Sequence, residues 1–96
     1  MADWRSVEQL KDHFAQHGRE MGFRTADEYD ASVQETLSTG VYFTYFEPAE
    51  NAQRIGCFNH TTGKFVVLTD DDERIVSHFI TSVRYIRRLP YNNYDE

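Results

Sequence analysis

Two histidines four residues apart, in the run His13-Phe14-Ala15-Gln16-His17-Gly18, are the densest concentration of reactive groups in the chain. A separation of four puts both rings on one helix face. Imidazole gives and takes protons near neutral pH, so the pair suits general acid and base work. The plainer alternative is a core histidine satisfied by a backbone carbonyl beside an exposed partner. A second candidate is Ser77, followed by His78, in a strand-like run where alternation sends neighbours to opposite faces. If Ile75 and Phe79 face the helices, Ser77 does too, and its hydroxyl can meet a phosphate or a histidine there; otherwise it is an ordinary strand serine. The third is the set of arginines. Arg84 can steady developing negative charge, and Arg54 and Arg87, with Tyr85, can hold a substrate's phosphates. Read plainly, Arg84, Arg87 and Arg88 are charges that blunt an edge strand against aggregation. A metal centre is the weakest option. The helix has His-x-x-x-His, but Phe14 stands where a zincin has Glu, and nothing brings Cys57, His60 or His78 in as a third ligand. No cofactor is expected.

These groups need elements to hold them. Ser6 with Gln9 reads as a capping box, and Val7, Leu10, Phe14 and Met21 follow at helical spacing, predicting a first helix over residues 7–21 closed by Gly22. His17 falls in the middle of its apolar stripe and His13 on the flank, so His17 is expected to be the more buried. Thr25 with Glu28 opens a second helix, which Ala26, Tyr29, Val33 and Leu37 carry to Gly40. From Val41 the period changes to that of strands: Val41–Phe46, Ile55–Phe58, Phe65–Leu68 and Ile75–Ile80, joined by polar turns, with Val83–Leu89 as a fifth. The expectation is an α+β fold with two N-terminal helices on one face of a four- or five-stranded antiparallel sheet. Residues 1–90 form one globular domain and 91–96 a disordered acidic tail.

The 96 residues carry a formal net charge of −6, and 40% are hydrophobic and 15% aromatic, enough for one core and no second. Cys57 is the only cysteine, so no internal disulfide can form. No apolar run approaches the roughly 20 residues that span a bilayer, and no apolar segment follows Asp3, Arg5 and Glu8, so a cytoplasmic protein without membrane attachment is expected. The acidic balance opposes nonspecific coating of nucleic acid, yet Arg74, Arg84, Arg87 and Arg88 leave room for a local phosphate site.

The order His-Phe-x-x-His-Gly, Gly22, Thr25-x-x-Glu28-Tyr29, Thr61-Thr62-Gly63-Lys64-Phe65 and Ile75-Val76-Ser77-His78-Phe79 resembles the barnase/EndoU/colicin/RelE-like ribonuclease toxin domains of phages and polymorphic toxins. The likeness covers about residues 9–86. It implies metal-independent cleavage of RNA, with tRNA among the candidate substrates, by attack of the 2′-hydroxyl on the adjacent phosphate. His13 and His17 would be acid and base, and Ser77 stands where relatives commonly have Thr. A cognate antitoxin or immunity protein is the implied partner. The chain departs from the pattern at Cys57-Phe58-Asn59, where relatives often read Arg-Tyr-Asp, and at Val76, often basic. Either Arg54 or Arg84 must then supply the cation, or activity is weak or absent. The competing reading is a non-enzymatic acidic protein that binds and inhibits a protein partner, supported by the charge and the Asp70–Glu73 cluster. Convergence of His13, His17, Ser77 and an arginine in one concave site favours the enzyme; scatter favours the binder.

Overall fold

The computed structural model describes residues 2–96. Its elements run β1 (Asp3–Trp4), α1 (Val7–His13) continued by a π-helical turn (Phe14–Gly18), α2 (Ala26–Thr39), β2 (Val41–Glu47), β3 (Ala52–Asn59), β4 (Lys64–Thr69), β5 (Arg74–Ile80) and α3 (Val83–Arg87). The five strands lie in the order β1-β5-β4-β3-β2. β2 to β5 form the expected antiparallel meander, but β1 adds parallel to β5 through Asp3 and Trp4, so the sheet is mixed.

Both caps form as the sequence requires. The Ser6 hydroxyl accepts from the Gln9 N–H at 3.1 Å, and Thr25 accepts from Glu28 N–H at 3.1 Å. The first helix is nonetheless shorter than its periodicity predicts. At Phe14 the ladder changes to i→i+5, with Arg19 N–H bonded to the Phe14 carbonyl at 3.2 Å. Gly18 permits the close packing of this turn on Phe14 and Tyr29, since a Cβ there would stand 2.4 Å from the Phe14 ring. After Gly18 the chain turns away, with Gly22 at φ +91°, a conformation that suits glycine.

Residues 83–89 are a correction to the expected fifth strand. The Ser82 hydroxyl caps Tyr85 N–H at 3.2 Å, and Val83, Ile86 and Leu89 recur every three residues, a helical spacing, to pack on the sheet. The helices therefore do not share one face. α1 and α2 bury Phe14, Tyr29 and Val33 against Cys57, Val66, Leu68 and Ile75, while α3 buries Ile86 on the opposite face against Phe43, Tyr45, Phe58, Phe65 and Val67. The tail, expected to fray, is laid along the free edge of β2. Phe46 N–H bonds to the Pro90 carbonyl at 2.9 Å, Thr44 N–H to the Asn93 side chain at 2.8 Å, and the Tyr94 ring packs on Phe43 and Phe58. An exposed edge is thereby covered.

β5 carries one residue more than β4 opposite it: Val67 pairs with Ser77 but Leu68 pairs with Ile75, leaving Val76 as a bulge. Ile75 and His78 consequently face α1 and α2, whereas Ser77 and Phe79 face α3. His78 is wholly buried. The Phe65 carbonyl can only accept, so His78 Nδ1 carries the hydrogen and donates to it at 2.9 Å, and Nε2 accepts from the Ser32 hydroxyl at 3.0 Å. The Tyr29 hydroxyl donates to the His78 carbonyl. Burial pushes the imidazole down to about 4 from its ordinary 6.5, against the smaller upward pull of the Phe65 carbonyl. Unfolded chains take up this proton below about pH 6.5 and the fold does not, so stability is complete above that pH and falls toward pH 4 by about 3 kcal/mol from this group. Urea midpoints measured from pH 7 to 4 should fall across this window, and His78→Gln should flatten the slope.

Candidate functional site

The structure divides the sequence-chosen residues between the two sides of the sheet. His13 and His17 lie on the α1 side, half-buried in a row of rings that runs Trp4, His13, His17, Phe79, with successive centroids 5.4, 6.1 and 5.6 Å apart. Burial, then the neighbouring charge of His17, hold the His13 imidazole below its ordinary value, with Asp12 pulling weakly the other way. Its Nδ1 is buried without a partner. Both rings are half-buried, so the structure does not set His17 apart as the more shielded of the two.

Ser77 is turned to the other side by the Val76 bulge, and there it joins two other candidates. A cleft of about 220 Å³ opens between the sheet and α3, lined by Arg54, Ser77 and Tyr85 together with Tyr45, Glu47 and Glu50, over a floor of Val67, Val76 and Phe79. Strand register explains the convergence. The four-residue turn 48–51 pairs Glu47 with Ala52 and hence Tyr45 with Arg54, while Val67 of the next strand stands opposite Ser77. Phe43, Tyr45 and Glu47 alternate onto the same face. Gly56 lets this face close, because the stacked rings of Phe43 and Phe65 lie where a Cβ would be, 2.5 and 2.8 Å away.

Arg54 is half-buried and has no carboxylate within ion-pair distance among the described residues; its one bond is to the Gln53 carbonyl at 3.4 Å. Burial raises Tyr45, and the nearby charges of Tyr85 and Glu47 add to this against Arg54; burial and Glu47 also raise Tyr85. Both phenols keep their protons at neutral pH. The cleft thus offers a free guanidinium, a serine hydroxyl, two phenol donors and two carboxylates around one space.

The remaining candidates stand apart. Arg84 is exposed on α3 and does not line the cleft, and Arg87 donates to the Glu96 carbonyl at 3.0 Å. Cys57 is buried on the α2 side, where its thiol donates to the Thr36 carbonyl at 3.2 Å and burial pushes it up to about 11. His60 sits in the β3–β4 turn, 2.6 Å from the Glu96 carboxylate. Among the described residues no three of His, Cys, Asp and Glu gather as a metal site, and no helix is long and apolar enough to cross a membrane.

Tyr45, Glu47 and Glu50 were missed by sequence reasoning. The signal was present: Tyr45 and Glu47 alternate on one strand, and the turn length sets Arg54 opposite Tyr45.

Histidine titration by NMR should give His13 a midpoint below that of a free imidazole. Removing the like charge in His17→Ala should move that midpoint up without restoring it fully, since burial is the larger cause. Comparison with protein-family models, with curated proteins and with solved structures finds no match to this chain.

Proposed function

We propose that this chain is a metal-independent endoribonuclease whose scissile phosphate sits in the cleft between the sheet and α3. The observation that carries this reading is the free guanidinium of Arg54 sharing one concave space with Ser77, Tyr85 and Glu47, residues drawn from four separate elements. Transphosphorylation needs a base for the 2′-hydroxyl, a cation for the phosphorane and an acid for the leaving oxygen. Glu47 takes the 2′-hydroxyl proton, and the freed oxygen attacks phosphorus. Arg54 and the Ser77 hydroxyl hold the non-bridging oxygens as charge builds on them. The bond to the 5′-oxygen breaks, and that oxygen receives the Tyr85 proton. The two proton steps support one another. Once Glu47 is protonated, the negative charge that helps hold Tyr85 up is gone, and the phenol becomes a better acid. The products are a 2′,3′-cyclic phosphate and a 5′-hydroxyl.

This differs in its residues from the arrangement that the resemblance implies. The histidine pair lies across the sheet from Ser77, and of the two arginines that could supply the cation it is Arg54 that lines the cleft.

Incubation with total RNA in EDTA should yield fragments ending in 2′,3′-cyclic phosphate. Arg54→Ala should slow cleavage about 10²- to 10³-fold and Glu47→Gln about 10²- to 10⁴-fold, with thermal melts close to the parent's. His13→Ala should leave the rate within a few-fold. If the purified protein cleaves no RNA, or if Arg54→Ala cleaves as the parent does, the reading fails. The acidic inhibitor of a protein partner, drawing on the charge of −6, then takes its place.

A further inference from the structure

A second depression lies beside the cleft, and one side chain belongs to both. Phe79 lines the cleft on one side and, on the other, a pocket of about 360 Å³ with His17, Glu20, Met21 and Ile80. The Phe79 ring stands between Tyr85, 5.9 Å away at 84°, and His17, 5.6 Å away at 38°. β1 pairs with β5 only at Arg74 and Ile75, so beyond Ile75 no strand covers the outer edge of β5, and Ile80 is 53% exposed. Glu20 has no ion pair among the described residues and stands at the rim of the pocket.

We infer that this pocket is a nucleobase subsite, in which a base stacks on His17 and Phe79 and gives an amino group to the Glu20 carboxylate, so that the substrate is a single strand of RNA bent over the free edge of β5. The inference rests on the phosphate site proposed above and deepens it. Every base has a flat face that stacks on an aromatic ring, and Met21 and Ile80 supply apolar walls that exclude water from the stack. A carboxylate accepts from the exocyclic amino groups of guanine, adenine and cytosine but finds no amino group on uracil. A duplex does not fit, because its bases are stacked internally and its paired edges are taken up. A single strand can splay one base past Phe79 while its phosphate stays with Arg54.

The test uses the full chain carrying Glu47→Gln, which binds while cutting far more slowly than the parent, and a fluorescent hexanucleotide of single-stranded RNA at fixed salt. The same strand with one abasic position and the same sequence as a duplex serve as comparisons. The intact strand should bind about tenfold more tightly than the abasic strand, the scale of one base–aromatic stack, and more tightly than the duplex. Adding His17→Ala should erase the preference for the intact strand, and adding Glu20→Ala should reduce it. Adding Arg54→Ala should weaken intact and abasic strands alike. Equal binding of intact and abasic strands, or a preference that survives His17→Ala, overturns the subsite while Arg54-dependent binding leaves the phosphate site standing. Binding that ignores Arg54 altogether overturns the phosphate site, and the subsite with it.

Discussion

The single extra residue at Val76 decides what each face of β5 presents, and through it what each face of the protein can do. Without a bulge, alternation carries Ile75, Ser77 and Phe79 to one side together. With it, Ile75 and His78 belong to the core under α1 and α2, while Ser77 and Phe79 belong to the cleft under α3. The bulge is held because its helix-side consequence is fully bonded. His78 fills the helix side with Ser32 on one nitrogen and the Phe65 carbonyl on the other, and Tyr29 bonds its carbonyl. A one-residue slip would bury Ser77 without a partner and expose the imidazole. Leaving a buried polar group unpaired costs about 1–3 kcal/mol, so the register has little freedom. His78 is thus a fixing pin for the strand whose next residue back faces the cleft.

Where the chain's local signals agree with one another, the fold was legible. Two capping boxes located the starts of α1 and α2, and four β-branched or aromatic runs located β2 to β5 in their order, because each signal depends only on neighbours in sequence. Of the remaining departures, β1 and the tail depend on contacts distant in sequence, while α3 is decided locally. β1 is two residues long and is a strand only because β5 offers it an edge. Val83–Arg87 has enough β-branched and aromatic character to resemble a strand, and the Ser82 cap with an apolar spacing of three tips it to helix. The tail has a polar composition, yet Tyr94 finds an aromatic pocket and the tail's backbone meets the β2 edge.

The candidate site was legible in its types and not in its grouping. Arg54, Ser77 and Tyr85 were each chosen as phosphate contacts, and they do share a cleft. The histidine pair drew attention because spacing along a helix is visible in sequence, whereas the face of a sheet is visible only once the register is known. The hidden variable was the bulge: a single unpaired residue leaves no compositional mark at Val76, yet it inverts the side on which Ser77 stands. Glu47 was overlooked for a related reason, since a strand-terminal carboxylate reads as a solvated end until the turn length places Arg54 across from its neighbour.

The charge of the molecule sharpens what the cleft can accept. Turns 48–51 and 70–73 lie at the same end of the sheet, since β2 and β4 run into them and β3 and β5 run out. Glu47 and Glu50 therefore share an end of the sheet with the acidic turn Asp70–Glu73, of which Asp72 lies toward α2. That second turn is fixed in place, as the Asp71 carboxylate accepts from the Thr69 hydroxyl at 2.6 Å and from Glu73 N–H at 3.0 Å. A polyanion entering the cleft meets Glu47 and Glu50 as well as Arg54. Screening limits the repulsion to a range of about 8–10 Å at physiological salt, so it acts on the charges nearest the cleft. A duplex brings two backbones into that zone and a single strand only one, so these carboxylates penalise the duplex more. On the proposed reading, one guanidinium left unpaired among carboxylates would be selective: it would compensate a single phosphate at short range and leave the rest of a densely charged duplex uncompensated.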